Sequence, residues 1–367
     1  MANLAEGRSL RLARLASVAG LHVDVTPIDE TGFMTHESAW RELERSARDR
    51  ASPYLSFDWL SSWLEIYAPD RVAVIRVTSD HGVAALGLVD QGRGGHWRFA
   101  GHQVTPHRAL LCVDDDASVW SAFAGWLAAN RKQWKTLDVE GAPSAVEALP
   151  RATLEDDPVP VLDLPESFDA YFEGLPGQTR RRHRRRLRNF DRARGEVVQA
   201  SEVGPAVHEL IQLHNRRAKA KGEIHPQMNE QLARMLELVS NKDSLDLVVT
   251  RMEIGGEALA LAAHLDYGHA TYSYNTAMHP SGASFSPGVL LELDAVRHAI
   301  DRGSRRFEFG PGLYYYKKEL GGVPELRYSV HTTAPTLAGT VAAVRRKGRE
   351  RLRTSRALRR LRGRIRR

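Results

Sequence analysis

A chain of 367 residues exceeds what one hydrophobic core usually serves, so two domains plus terminal segments are expected. An apolar fraction of 42%, a charged fraction of 26% and seven tryptophans exclude a disordered chain, and a single cysteine excludes an intrachain disulfide. The net charge of +7 is unevenly placed: residues 345–367 hold 13 Lys or Arg against Glu350 alone and contribute +12, which leaves the remainder mildly acidic at −5.

Residues 1–20 read as a flexible N-terminus, and Arg8, Arg11 and Arg14 interrupt it before any signal-like apolar core develops. No run approaches the roughly 18 consecutive apolar residues that a membrane span needs, so a cytoplasmic protein is expected. A first α/β unit is predicted over 21–160. It has a helix over Phe57 to Tyr67, strands over Val72 to Val77, Val83 to Val89, Trp97 to Ala100 and Ala109 to Val113, a helix from Ser118 and a strand from Thr136. Cys112, inside one of those apolar strands, reads as a buried thiol in a reducing compartment. The Pro- and acid-rich stretch from Leu149 to Pro165 reads as the crossing into a second unit over 161–334.

That second unit is predicted to open with two helices, the second of them studded with nine arginines between Arg180 and Arg194. Two more helices follow, and then strands over Leu245 to Glu253, Glu257 to Asp266 and Ala270 to Thr276. The Gly255-Gly256 pair between the first two is a hairpin signal, because both positions of the favoured two-residue turn need positive φ. Ser286-Pro287-Gly288 precedes Val289, Leu290, Leu293, Val296 and Ile300 at helical spacing, with Ser286 as the expected cap and Gly303 as the stop. A strand Arg306-Phe307-Glu308-Phe309, a Gly-Pro-Gly turn, a short helix from Leu313 to Leu320 and a last strand from Glu325 to Thr332 complete the unit. Residues 335–367 read as a basic amphipathic tail.

The succession Tyr274-Asn275, Ser286 to Leu291, Gly303, Phe307 to Gly312 and Tyr316-Lys317 resembles the GNAT acyltransferases of the CelD-like, cellulose- and exopolysaccharide-associated group, relatives of the Fem peptidoglycan aminoacyltransferases. Ser52-Pro53-Tyr54, Trp63 and the arginine-rich helix extend the likeness over about 21–332. The resemblance implies an α/β (α+β) fold of two tandem GNAT-like domains, each a largely antiparallel mixed sheet flanked by helices. It further implies acyl-CoA as co-substrate, and an amine or hydroxyl of a cell-envelope saccharide, small or lipid-linked, as acceptor. Glu308 and Leu320 depart from the Asp and the aromatic that the group often carries there.

Acyl transfer from a thioester needs a deprotonated nucleophile, a donor for the oxyanion, a proton for the leaving thiol and a hold on the donor's phosphates. Ser286, Pro287, Gly288 and Val289, at a helix start, suit the phosphates, although a plainly capped helix explains the same residues. Glu308, opposite two aromatics at a strand end, is the candidate base or amine holder, with a surface ion pair as its alternative. Tyr316 and Tyr274 are candidate proton donors. Lys317 and Asn275 are candidate substrate contacts, with solvation or packing as the alternative for each. Tyr274 and Asn275, as strand neighbours, are expected on opposite faces. His264 and Asp266 share a face, but two ligands make no metal site and none is expected.

Arg181 and Arg185 stand for the arginine helix as contacts to an anionic partner, against the alternative of a solvated face. The tail over 345–367 suits an anionic membrane first, and nucleic acid second. Three functions are open on this reading: an acyl-CoA-dependent transferase, a Fem-like transferase fed by aminoacyl-tRNA, and a non-catalytic GNAT-fold component of a polysaccharide machine that could respond to a nucleotide.

Overall fold

A computed structural model describes residues 20–47, 52–113 and 117–346. Branched apolar residues in the first half build β1 (His22–Ile28), β2 (Val72–Ser79), β3 (Gly82–Gly92), β4 (His96–Phe99), β5 (Leu111–Cys112), β6 (Thr136–Ala142) and β7 (Thr153–Asp156). The second half supplies β8 (Val159–Asp163), β9 (Gly195–Gln199), β10 (Asp246–Ile254), β11 (Glu257–Tyr267), β12 (Ala270–Met278), β13 (Arg306–Glu308) and β14 (Val323–Glu325), followed by β15 (Tyr328–Thr333). Two sheets result. Their strand orders are β1-β2-β3-β4-β6-β15-β7, with β5 also on β3, and β14-β8-β13-β12-β11-β10-β9. Each sheet has one parallel junction, β4 with β6 and β12 with β13.

Pattern and turn chemistry explain most of this. Gly255 and Gly256 take φ of 58° and 81°, and the hairpin closes with Ile254 opposite Glu257. Gly303 ends the helix Pro287–Asp301 at φ 81°. The helix Phe57–Tyr67 is capped by Ser56, whose side chain accepts from Trp59 N, and it buries Trp59 and Trp63. Those tryptophans belong to a core that continues without a break into Leu236, Leu261 and Tyr272 of the second half. The two units therefore share apolar packing, and Trp59→Ala would cost on the order of 3–5 kcal/mol.

The division of the chain at 160 and 334 meets one difference. The last predicted strand is two strands in two sheets: β14 pairs with β8 in the second sheet, whereas β15 pairs with β6 and β7 in the first. Residues 328–333, placed by chain order with the second unit, thus complete the first. The reason is burial, since Val330 fills the first-sheet core beside Leu137 and Val139. The basic tail is described only to residue 346, as a helix over 337–346; the predicted anionic contact of 347–367 lies outside the described residues. No described helix is long and apolar enough to cross a membrane.

Candidate active site

β12 and β13 pair only over Ala270–Tyr272 and Arg306–Glu308. Beyond that point β12 runs on to Met278, and a cleft of about 510 Å³ opens beside it. Its walls are Thr276, Ala277 and Met278 of β12, the helix start at Ser286, Gly288 and Val289, and Tyr314 and Tyr316 from the segment after β13. His214, Arg217 and Lys221, from the helix Val203–Ala220 and its end, close the remaining side.

The helix start differs from the expected cap. Ser286 has φ 55° and ψ 56°, and its side chain caps nothing. The left-handed backbone turns the residue out of capping geometry, so no side chain competes with a ligand for the helix N-terminus. Pro287 occupies the first turn and is buried. A Cβ at Gly288 would sit 3.1 Å from Met278 Sδ, so glycine keeps this wall open.

At the floor lies a residue the sequence reading passed over. Glu292 is 1% exposed and lies in the second turn of the same helix; its Oε1 accepts from Ser273 Oγ at 2.7 Å, while Oε2 has no hydrogen-bond partner. Burial pushes its carboxyl up to about 7, against the opposing hydrogen bond from Ser273. His264 Nε2 lies 3.9 Å from Oε2 and is itself unpartnered. Burial drives that imidazole down to about 4, so at neutral pH it is uncharged and the contact is no ion pair. The pattern held a signal: Glu292 falls three residues after Val289 and four before Val296, inside the apolar stripe.

Tyr316 joins Glu292 in the cleft wall. Burial, and then the nearby Glu292 charge, raise its phenol well above the ordinary value, so it holds its proton. Lys317 does not reach the cleft. Its Nζ donates to Gly310 O at 2.8 Å and Pro311 O at 2.7 Å, fastening the Gly-Pro-Gly turn. Burial lowers this amine to about 8, against the pull of Glu292 and Glu308.

The other predicted residues are distributed elsewhere. The β11–β12 register shifts so that Ala263 faces Asn275 and His264 faces Ser273, leaving Tyr274 as an extra residue. The bulge brings Tyr274 and Asn275 toward the same side, contrary to the expected alternation. Tyr274 packs on Tyr54 and Trp59 and donates to Val104 O at 2.9 Å, away from the cleft. Asn275 Nδ2 lies 3.4 Å from Met228 Sδ. Glu308 does face away from Phe307 and Phe309, but it accepts two bonds from Arg327, at 2.7 and 3.1 Å, in a separate cavity of about 330 Å³ shared with His107 and Ser52. Arg181 and Arg185 are exposed and line neither space. Among the described residues no group of three or more His, Cys, Asp or Glu gathers as a metal site.

The segment that builds the cleft matches a known family: residues 177–318 fit the acetyltransferase (GNAT) domain. The match places an acetyltransferase (GNAT) domain in the second half of the chain. No curated protein matches the sequence. Among solved structures, FemX is similar at 9% identity and a TM-score of 0.56, over 83% of this chain and 96% of that one. The C-terminal domain of a putative lysylphosphatidylglycerol synthetase from Agrobacterium fabrum is similar at 12% and 0.52, over 86% and 96%. A tandem GNAT protein from the clavulanic acid biosynthesis pathway is similar at 15% and 0.50, over 86% and 99%. At such identities the likeness establishes the fold alone. The expected tandem GNAT-like architecture and the expected acyltransferase class are both borne out.

Proposed function

We propose that this protein moves an acyl group from acyl-CoA to an amine or hydroxyl of a cell-envelope or exopolysaccharide precursor, as the resemblance to the CelD-like group implies. The observation that carries the proposal is the buried Glu292 carboxylate, held near a pKa of 7 at the floor of a cleft that begins at an uncapped helix N-terminus. A base must match its working pH, and this one does. The helix start with Gly288, joined by Arg217 and Lys221, fits the phosphates of a CoA donor. Glu292 then takes the proton from the acceptor, whose lone pair forms the new bond to the thioester carbonyl. The carbon–sulfur bond breaks, the leaving thiolate takes the proton of Tyr316, and the proton that Glu292 took from the acceptor passes back to the phenolate. Glu308, paired with Arg327, is assigned to the junction of the two halves and not to this chemistry.

Calorimetry with acetyl-CoA, a longer acyl-CoA and tRNA tests the donor. Binding of either thioester, lost on charge reversal of Arg217 and Lys221, supports the proposal. Binding of tRNA alone would replace it with the aminoacyl-tRNA route, and binding of none would leave a non-catalytic component.

A further inference from the structure

We infer that the rim of the donor cleft docks on an anionic membrane surface, so that the acceptor is met at the bilayer. The arginine helix Gly177–Arg192 buries Thr179, His183 and Phe190. Helical spacing puts Arg181, Arg185, Arg188 and Arg192 on the opposite side, and all four are exposed. The arginines on the two flanks are engaged: Arg180 and Arg184 pair with Glu173, and Arg182 and Arg186 pair with buried Glu319 at 2.9 and 3.1 Å. The outer four have no carboxylate partner among the described residues. They form a continuous cationic stripe that the protein does not neutralise.

One flank of that stripe leads to the cleft. Arg182 Nη1 donates to Tyr315 Oη at 3.1 Å, and the adjacent Tyr314 lines the mouth. Leu313, Tyr314 and Tyr315 are 62%, 64% and 68% exposed, and across the mouth Ile224 is 87% exposed between the lining residues Glu223 and His225. Isolated apolar residues on a surface need no explanation, but here they ring one opening beside a cationic stripe. Tyrosine, with an apolar ring and a polar tip, suits the boundary of a bilayer. An RNA partner would use the arginines and leave Leu313 and Ile224 unexplained. The inference rests on the proposed function only in taking the cleft as the donor site; the docking itself is read without turnover.

Co-sedimentation of the full chain with vesicles of phosphatidylcholine, with and without phosphatidylglycerol, provides the test. Binding is expected only to the anionic vesicles and should weaken as salt rises. With roughly fivefold in partitioning per basic residue near an anionic surface, Arg181→Glu/Arg185→Glu/Arg188→Glu should weaken binding by about 100-fold or more, while the triple Lys variant retains it. Leu313→Ser/Tyr315→Ser should lose about tenfold on the same vesicles. Both sets should bind acetyl-CoA as the parent does, which separates failure of docking from failure of the donor site. Unchanged vesicle binding in both sets would assign any membrane contact to the basic residues of 345–367 and overturn the inference. Arginine-dependent retention of RNA without vesicle binding would overturn it as well.

Discussion

The two halves share a strand plan around a parallel junction, yet they treat the split beyond it in opposite ways. In the first half the chain after β4 comes back: Arg108 and Glu140 exchange backbone bonds of 2.8 and 3.0 Å, and Gly141 packs so closely that a Cβ would lie 3.0 Å from Pro106 O. Arg108, 5% exposed, pairs with Glu140 through its side chain and seals the seam. Among the described residues no such segment enters the second half, and the space beside β12 holds Glu292 and Tyr316. A short stretch of backbone therefore decides which copy of one fold has an open cleft.

The largest expected effect separates the copies directly. Glu292→Gln should lower thiol release by about 1000-fold with acyl-CoA still bound, whereas Glu140→Gln in the sealed half should stay within about twofold. In the parent, activity should rise with pH through about 7 as Glu292 ionises, and this limb should vanish in the variant. Stability runs the other way. A carboxyl whose pKa is raised by burial contributes fully below its ordinary value and loses that contribution as pH rises through about 7, so Glu292→Gln should flatten the fall in chemical-denaturation stability between mildly acidic and alkaline buffer. Tyr316→Phe should cost about 10- to 100-fold in turnover, seen as a thiolate departing without its proton.

Gly288→Val should raise the dissociation constant for acyl-CoA about tenfold by calorimetry, because the new side chain stands in the cleft wall against Met278. Arg108→Ala should cost about 2 kcal/mol in denaturation and create no second donor site, since backbone bonds still hold the seam. A stoichiometry of two would break the comparison. Tyr274→Phe, which removes a single bond to Val104 O, should cost about 1 kcal/mol and leave turnover within about twofold.

Local rules carried far along this chain. The Gly255-Gly256 hairpin, the Gly303 stop and the helix from Phe57 follow from turn and cap chemistry that neighbouring residues decide. The helix from Pro287 was legible from its apolar spacing and its proline, although Ser286 does not cap it, and Tyr316 was reached through the family resemblance. What escaped was set by partners distant in sequence. The bulge that turns Tyr274 beside Asn275 exists only in the pairing of β12 with β11, and Glu308 is neutralised by Arg327, nineteen residues away. Lys317 read as a substrate contact, with solvation as the alternative, because residue type and helix position do not reveal that its ammonium folds back on Gly310 and Pro311. Glu292 was readable in principle, as a carboxylate in an apolar stripe, but helix periodicity alone does not say that a cavity meets it there.

The passage of β15 into the first sheet carries a consequence for synthesis. A ribosome delivers β6 and β7 long before Tyr328–Thr333, so the slot between them waits until nearly the whole second half has emerged. The first half thus cannot mature as an independent nascent unit. Its last seam closes only behind a finished second half, so a chain that stalls before residue 328 exposes an unfilled sheet, a defect that quality control can detect.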